Sequence, residues 1–110
     1  MQLAWIEDFL ALARLGSFTQ AAQARGVAQS ALSRRVRALE HWAGTTLFDR
    51  ASHPVLLTDS GRLLLPVAER AARDLAGVRE QTRAVGSAVA AAVVVAAPHS
   101  AAIGQLTDLM

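Results

Sequence analysis

The sequence predicts a mainly α-helical fold with one short β-hairpin and a long C-terminal helix. Three observations carry this expectation. Ser17 to Glu40 reads as a capped short helix, a glycine turn and a second helix with one apolar stripe. Two short apolar runs, Leu47–Phe48 and Val55–Leu57, flank a turn-rich segment. From Thr58 onward small and apolar residues recur at helical spacing for more than twenty positions.

The first helix is expected over Gln2 to about Leu15, because Ile6, Phe9, Leu10 and Ala13 repeat at helical spacing and form a core face. Gly16 ends it. Ser17, followed three residues later by Gln20, is a capping box for the next helix. Phe18 should pack inward beside the cap. Ala21, Ala22 and Ala24 are small enough for helices to approach closely. Gly26 supplies the left-handed residue that a tight helix exit needs, and Val27 should plug the turn into the core.

The second helix of the pair starts near Ala28 or Gln29, and Ala28 cannot cap it through a side chain. At 100° per residue, Leu32, Val36, Leu39 and Ala43 fall in a narrow arc and make a core stripe. Ser30, Ser33, Arg34 and Arg37 fall opposite, with Gln29 at the leading edge. No acid occurs on that outer face before Glu40. Gln and Ser can hydrogen-bond bases or phosphates, and Arg can grip guanine with two bonds. Two helices joined by a tight turn, the second with such a face, are the build of a helix-turn-helix that reads the DNA major groove.

Trp42 and Gly44 mark the exit from this helix. Leu47–Phe48 and Val55–Leu57 then read as two short strands, with Asp49 to Pro54 as the hairpin tip. Thr58 is placed to cap a long helix, with Asp59 favourable at its positive end, and as a helix start it is also placed for a phosphate. That helix is expected to run to about Val85, with a bend near Arg62 caused by Pro66. Leu64, Ala68, Ala71, Leu75, Val78 and Thr82 make a stripe along it. About 27 residues span roughly 40 Å, too long for a small domain to cover, so a partner helix is expected. Gly86 and Ser87 read as a hinge. Beyond them a strand at Val93 to Val95, a turn and a helix start are expected. The apolar run Ala88 to Ala97 has ten residues, about half of what crosses a bilayer.

Composition narrows the function. The 110 residues include no Cys, which removes disulfide, iron–sulfur and thiol chemistry. His41, His53 and His99 lack metal-ligand spacing, and no catalytic constellation stands out, so neither a metal nor an enzymatic role is expected. Net charge is only +2, but all 11 basic residues are Arg, and Arg25, Arg34, Arg35 and Arg37 lie within 13 residues at the proposed reading head. No signal peptide is apparent at the N-terminus, so a cytoplasmic location is expected.

Four ordered pieces make the chain resemble the N-terminal part of LysR-type transcriptional regulators: FLALARLGSFTQAA from Phe9, AQSALSRRVRALE from Ala28, GTTLFDR from Gly44 and LTDSG from Leu57. The resemblance runs without gaps from about Trp5 to Gly61. It implies a winged helix-turn-helix over residues 1–58 and a linker helix over 59–86 that makes a homodimer through Leu64, Ala68, Ala71, Leu75 and Val78. Residues 87–110 then hold the hinge and the cut-off first βα unit of an effector-binding domain. With that domain absent no cofactor or effector is expected, and a tetramer would need it. The partner implied is double-stranded DNA at promoter dyad sites, contacted by Gln29, Ser30, Ser33, Arg34 and Arg37 from the recognition helix. The wing implies further contacts from Arg50 and His53, and Thr58 adds one at the helix start. The wing departs from the family pattern, because His53, Pro54 and Leu56 stand where most members carry further basic residues. A truncated subunit that pairs with full-length relatives and inhibits them is the alternative function.

Overall fold

The computed structural model describes residues 1–96, with side-chain surroundings through residue 90. Four helices and one two-stranded sheet follow in the order α1 (Leu3–Leu15), α2 (Phe18–Arg25), α3 (Gln29–Ala43), β1 (Phe48–Asp49), β2 (Leu56–Leu57) and α4 (Asp59–Ala96). The chain divides into two compact units, one over Met1–Arg73 and a second from Asp74 onward.

In the first unit the helix ends follow the residues that mark them. Gly16, Gly26 and Gly44 are all left-handed, and each closes the helix before it. Ser17 Oγ accepts from the Gln20 amide at 3.2 Å, which satisfies one free donor at the start of α2. Ala28 gives α3 no side-chain cap. The expected stripe of α3 is buried at Leu32, Val36 and Leu39, while Ala43 at the last turn is exposed. Ala21 and Ala22 are buried where α2 meets its neighbours, but Ala24 faces solvent. The core joins these residues to Ile6, Phe9 and Leu12 of α1, to Leu47, Phe48 and Val55 around the hairpin, and to Ala68 of α4. Phe9 and Phe48 meet with ring centroids 5.3 Å apart, so α1 and the hairpin share one aromatic contact.

The hairpin is antiparallel, with Phe48 opposite Leu57 and Asp49 opposite Leu56. It is fastened by two backbone hydrogen bonds. The Val55 amide donates to Gly16 O at 2.9 Å. The Thr58 amide donates to Leu47 O at 3.0 Å. A side chain at Gly16 would also place its Cβ 2.8 Å from Pro54 Cβ, so this position needs glycine for space as well as for its positive φ.

The long helix differs from the sequence expectation at both ends. Its first turns belong to the first compact unit rather than to a separate linker, because Ala68 is only 1% exposed and Leu64 and Leu65 pack on the core. Leu64 and Ala68 were expected in the seam of a dimer; they are used inside their own domain, and Ala71 is half-buried there. At the other end the helix passes through Gly86 and Ser87 and through Val93–Val95, where a hinge and a strand were expected. Alanine is the strongest helix former, and it surrounds both segments, whereas a strand needs a neighbouring strand to pair with. Pro66 lies inside the same continuous helix. The expected turn and helix start after Pro98 lie outside the described residues. No helix among the described residues is long and apolar enough to cross a membrane.

Candidate nucleic-acid interface

The residues expected to read DNA share one side of α3. Gln29, Ser30, Arg34 and Arg37 are exposed and Ser33 is half-buried, while the opposite stripe is sealed in the core. Among the described residues no ion pair involves Arg34 or Arg37. Their guanidinium groups are therefore available to a base edge or a phosphate. One polar contact reaches this face from α2: Thr19 Oγ1 donates to Gln29 Oε1 at 3.1 Å.

Arg25 and Arg35, counted with the reading head from their position in the sequence, have another task. Asp8 of α1 has a fully buried side chain and binds both. Arg25 Nε donates to its Oδ1 at 2.9 Å, Arg35 Nε donates to Oδ2 at 2.6 Å, and Arg35 Nη2 donates to Oδ1 at 3.0 Å. Arg25 also pairs with Glu7 at 2.8 Å. The pKa of Arg25 is raised by its hydrogen bond to Asp8, against the opposing effect of burial. One carboxylate thus ties the end of α2 and the middle of α3 to α1. Sequence reading missed Asp8. The available signal was a carboxylate flanked by Ile6 and Phe9 on the core side of α1.

The wing is oriented by a second buried carboxylate. Glu40, near the end of α3, accepts from the Leu47 amide at 2.7 Å and the Phe48 amide at 3.3 Å. Arg50 closes on it with two bonds, Nη2 to Oε1 at 2.8 Å and Nη1 to Oε2 at 3.2 Å. The guanidinium of Arg50 also lies 5.5 Å from the centre of the Phe18 ring. Burial opposes ionisation of Glu40, but Arg50 and the two amides outweigh it and hold the carboxyl below its ordinary value. Arg50, expected at DNA, is therefore first a brace between wing and recognition helix. Asp49 folds the tip by accepting from the Ala51 amide and the Ser52 hydroxyl. His53 is exposed on that tip.

Thr58 caps the start of α4, as expected. Its hydroxyl donates to Thr46 O at 2.8 Å and accepts from the Gly61 amide at 3.1 Å. The hydroxyl proton is used by Thr46 O, so a phosphate at this helix start would be met by backbone amides rather than by the hydroxyl.

An exposed face of Gln, Ser and Arg on the second helix of a tight pair, backed by a wing, is the arrangement of a winged helix-turn-helix. Residues 3–62 match the family model described as a bacterial regulatory helix-turn-helix protein of the lysR family. The chain belongs to the LysR family. It is 33% identical over 106 residues to the HTH-type transcriptional regulator YjiE of Escherichia coli, covering 96% of this chain and 35% of that protein. It is 35% identical to an HTH-type regulator from the ibpB–leuC intergenic region of Azotobacter vinelandii, covering 96% of this chain and 74% of the relative. Among solved structures, Vibrio fischeri DarR in complex with DNA superposes with a TM-score of 0.77 at 39% identity, covering 79% of this chain and 30% of DarR. The DNA-binding domain of BenM bound to a catB site superposes with a TM-score of 0.76 at 31% identity, covering 80% of this chain and 95% of that domain. The chain thus spans about a third of YjiE and of DarR. Its winged helix-turn-helix is that of a LysR-type DNA-binding regulator.

Proposed function

We propose that this LysR-family chain binds promoter dyad sites in the cytoplasm as a homodimer and does so without catalysis. The carrying observation is the division of arginines on and around α3. Arg25 and Arg35 are held by Asp8, and Arg50 by Glu40, whereas Arg34 and Arg37 stand free on an exposed face with Gln29, Ser30 and Ser33. Arg34 with Gln29 and Ser30 reads bases, and Ser33 and Arg37 lie nearer to phosphates. DarR and the BenM domain, both in DNA complexes, support this use of the face.

Pairing of two chains is supported by apolar residues that α4 leaves exposed. In the first unit these are Leu63 and Val67; in the second they are Leu75, Val78 and Val85. Leu75 and Val78 are 50% and 54% exposed, too much for residues that have found their partner.

The test is a binding series on the operator and on an unrelated duplex across salt concentration. Arg34→Ala should weaken operator binding by about 1–3 kcal/mol and relax base preference. Arg37→Ala should weaken both duplexes alike and flatten the salt dependence. An Arg34→Ala protein with unchanged operator affinity and base preference refutes the assignment.

A further inference from the structure

The recognition helix and the hairpin are joined through one carboxylate. Among the described residues, every side-chain hydrogen bond between α3 and residues 47–57 ends on Glu40. It accepts from the Leu47 and Phe48 amides at 2.7 and 3.3 Å and from the two-bond fork of Arg50 at 2.8 and 3.2 Å. The carboxylate is buried, while the Arg50 side chain is 30% exposed and so lies at the edge of the cluster, in reach of solvent. Phe18, which opens α2, faces the same guanidinium at 5.5 Å.

This cluster acts on DNA binding in two ways, and the two differ between duplexes. The first is charge. Arg50 and Glu40 are neutral as a unit, so a phosphate beside them releases no counterion and gains no sequence-independent attraction. The second is geometry. An operator must be met by α3 and by the hairpin at once. Holding the hairpin in one attitude to α3 before binding removes an ordering cost that would otherwise be subtracted from operator affinity. A duplex held through its phosphates alone makes no such demand, because those contacts carry no sequence information.

We propose that Glu40 is a specificity-determining positioning residue: it locks the hairpin to the recognition helix and neutralises Arg50, so it favours the operator over every other duplex. The proposal rests on the reading of α3 as the helix that meets DNA, with the hairpin against the same duplex. Glu40 itself touches no base. Replacing it by glutamine keeps the shape and one acceptor oxygen, but leaves Arg50 as an unbalanced cation and loosens the fork and the amide contacts.

The experiment measures binding across salt concentration to an operator, selected by wild type from randomised duplexes, and to an unrelated duplex. The proteins are wild type, Glu40→Gln, Arg50→Lys, Glu40→Gln/Arg50→Gln, Glu69→Gln and Arg37→Ala, each checked for folding by circular dichroism. Glu40→Gln should bind the unrelated duplex about three- to tenfold more tightly at about 0.1 M salt, with a salt dependence steeper by about 0.9. The operator should not share this gain, so the ratio of the two affinities falls by at least that factor. The double variant should recover the wild-type salt dependence, because it removes equal and opposite charges, yet keep the lowered ratio. Arg50→Lys keeps every charge but exchanges the fork for a point contact. It should lower the ratio at the wild-type salt dependence, and it decides the positioning role if Glu40→Gln does not fold. Glu69→Gln makes the same change in net charge at an exposed site on α4 and should leave the ratio unchanged. Equal factors on both duplexes for Glu40→Gln overturn the positioning role: a joint loss marks a general structural defect and a joint gain marks bare charge. A wild-type ratio for Arg50→Lys overturns it as well. An unchanged salt dependence for Glu40→Gln, or a double variant flatter than wild type, overturns the neutralisation of Arg50. These results leave the reading of α3 standing so long as Arg37→Ala flattens the salt dependence. An Arg37→Ala protein with the wild-type salt dependence removes that reading and the proposal with it.

Discussion

Gly61 sets two physical effects of opposite sign against each other. It lies in the first turn of α4 and is buried. Helix propensity alone says that Gly61→Ala should stabilise the protein by about 1 kcal/mol. The surroundings say otherwise. A Cβ at this position would lie 2.2 Å from Leu47 O and 2.8 Å from Leu57 Cδ2, well inside the 3.4 Å at which ordinary contact begins. Leu57 can turn away, but Leu47 O is backbone and also accepts the Thr58 amide at 3.0 Å. Relieving the overlap must separate the start of α4 from the hairpin, at a cost of about 1–3 kcal/mol for overpacking and about 1 kcal/mol more for the strained hydrogen bond. The net expectation is a loss of about 2 kcal/mol. Gly77 is the internal control, because nothing lies within 4 Å of a Cβ built there. Gly77→Ala should therefore show only the propensity gain, up to about 1 kcal/mol. Urea titration followed by circular dichroism measures both. The steric argument is refuted if Gly61→Ala matches or exceeds wild-type stability, or if the two variants move in the same direction.

Other outcomes follow from the same structure. Asp8→Ala leaves two partly buried guanidinium groups without their carboxylate and should lower stability by about 3 kcal/mol; a loss under about 1 kcal/mol in urea titration contradicts the role given to Asp8. Glu40 has its pKa depressed below the ordinary 4.5, so its contribution is complete above pH 4.5 and is lost as pH falls through the lower folded value. Glu40→Gln should accordingly cost about 2 kcal/mol at pH 7 and flatten the decline of stability below pH 4.5, and unfolding curves that fall in parallel for both proteins would contradict this. Leu75→Glu would place a carboxylate in the proposed pairing face of α4, so sedimentation should show a folded monomer with weak operator binding, and a variant that stays dimeric rules out that face.

Much of the reading unit is legible in the sequence because its rules are local. A left-handed glycine must follow a tight helix end, so Gly16, Gly26 and Gly44 mark the ends of α1, α2 and α3 before any coordinates are known. A stripe at Leu32, Val36 and Leu39 fixes which face of α3 is buried, and by elimination which face is free. The unread parts are non-local. Asp8 meets Arg25 and Arg35 at separations of 17 and 27 residues, which no periodicity encodes. Glu40 looks like the end of a solvated face until the hairpin amides are seen folded over it. The hinge at Gly86 failed for a different reason. A single glycine lowers helix stability by about 1 kcal/mol, less than the neighbouring alanines supply in propensity, so it weakens the helix without ending it.

The two buried carboxylates also account for why a cluster of arginines need not make a promiscuous DNA binder. Counting charge along the sequence puts four arginines between positions 25 and 37, and all four would attract phosphate irrespective of sequence. Asp8 removes two of them from that count and spends their hydrogen bonds on fixing α2 and α3 against α1. Glu40 does the same for Arg50 at the wing. The cations left over, Arg34 and Arg37, sit on a helix whose orientation the other arginines hold rigid. Charge that would have added non-specific attraction is converted into positional accuracy, on which base reading depends more steeply than phosphate attraction does. The wing is consistent with this division, since its tip carries His53 and Pro54 rather than added arginines. On the proposed function, selectivity rests on a small set of groups, Gln29, Ser30, Ser33, Arg34 and Arg37, on a helix held in place by neutralised neighbours.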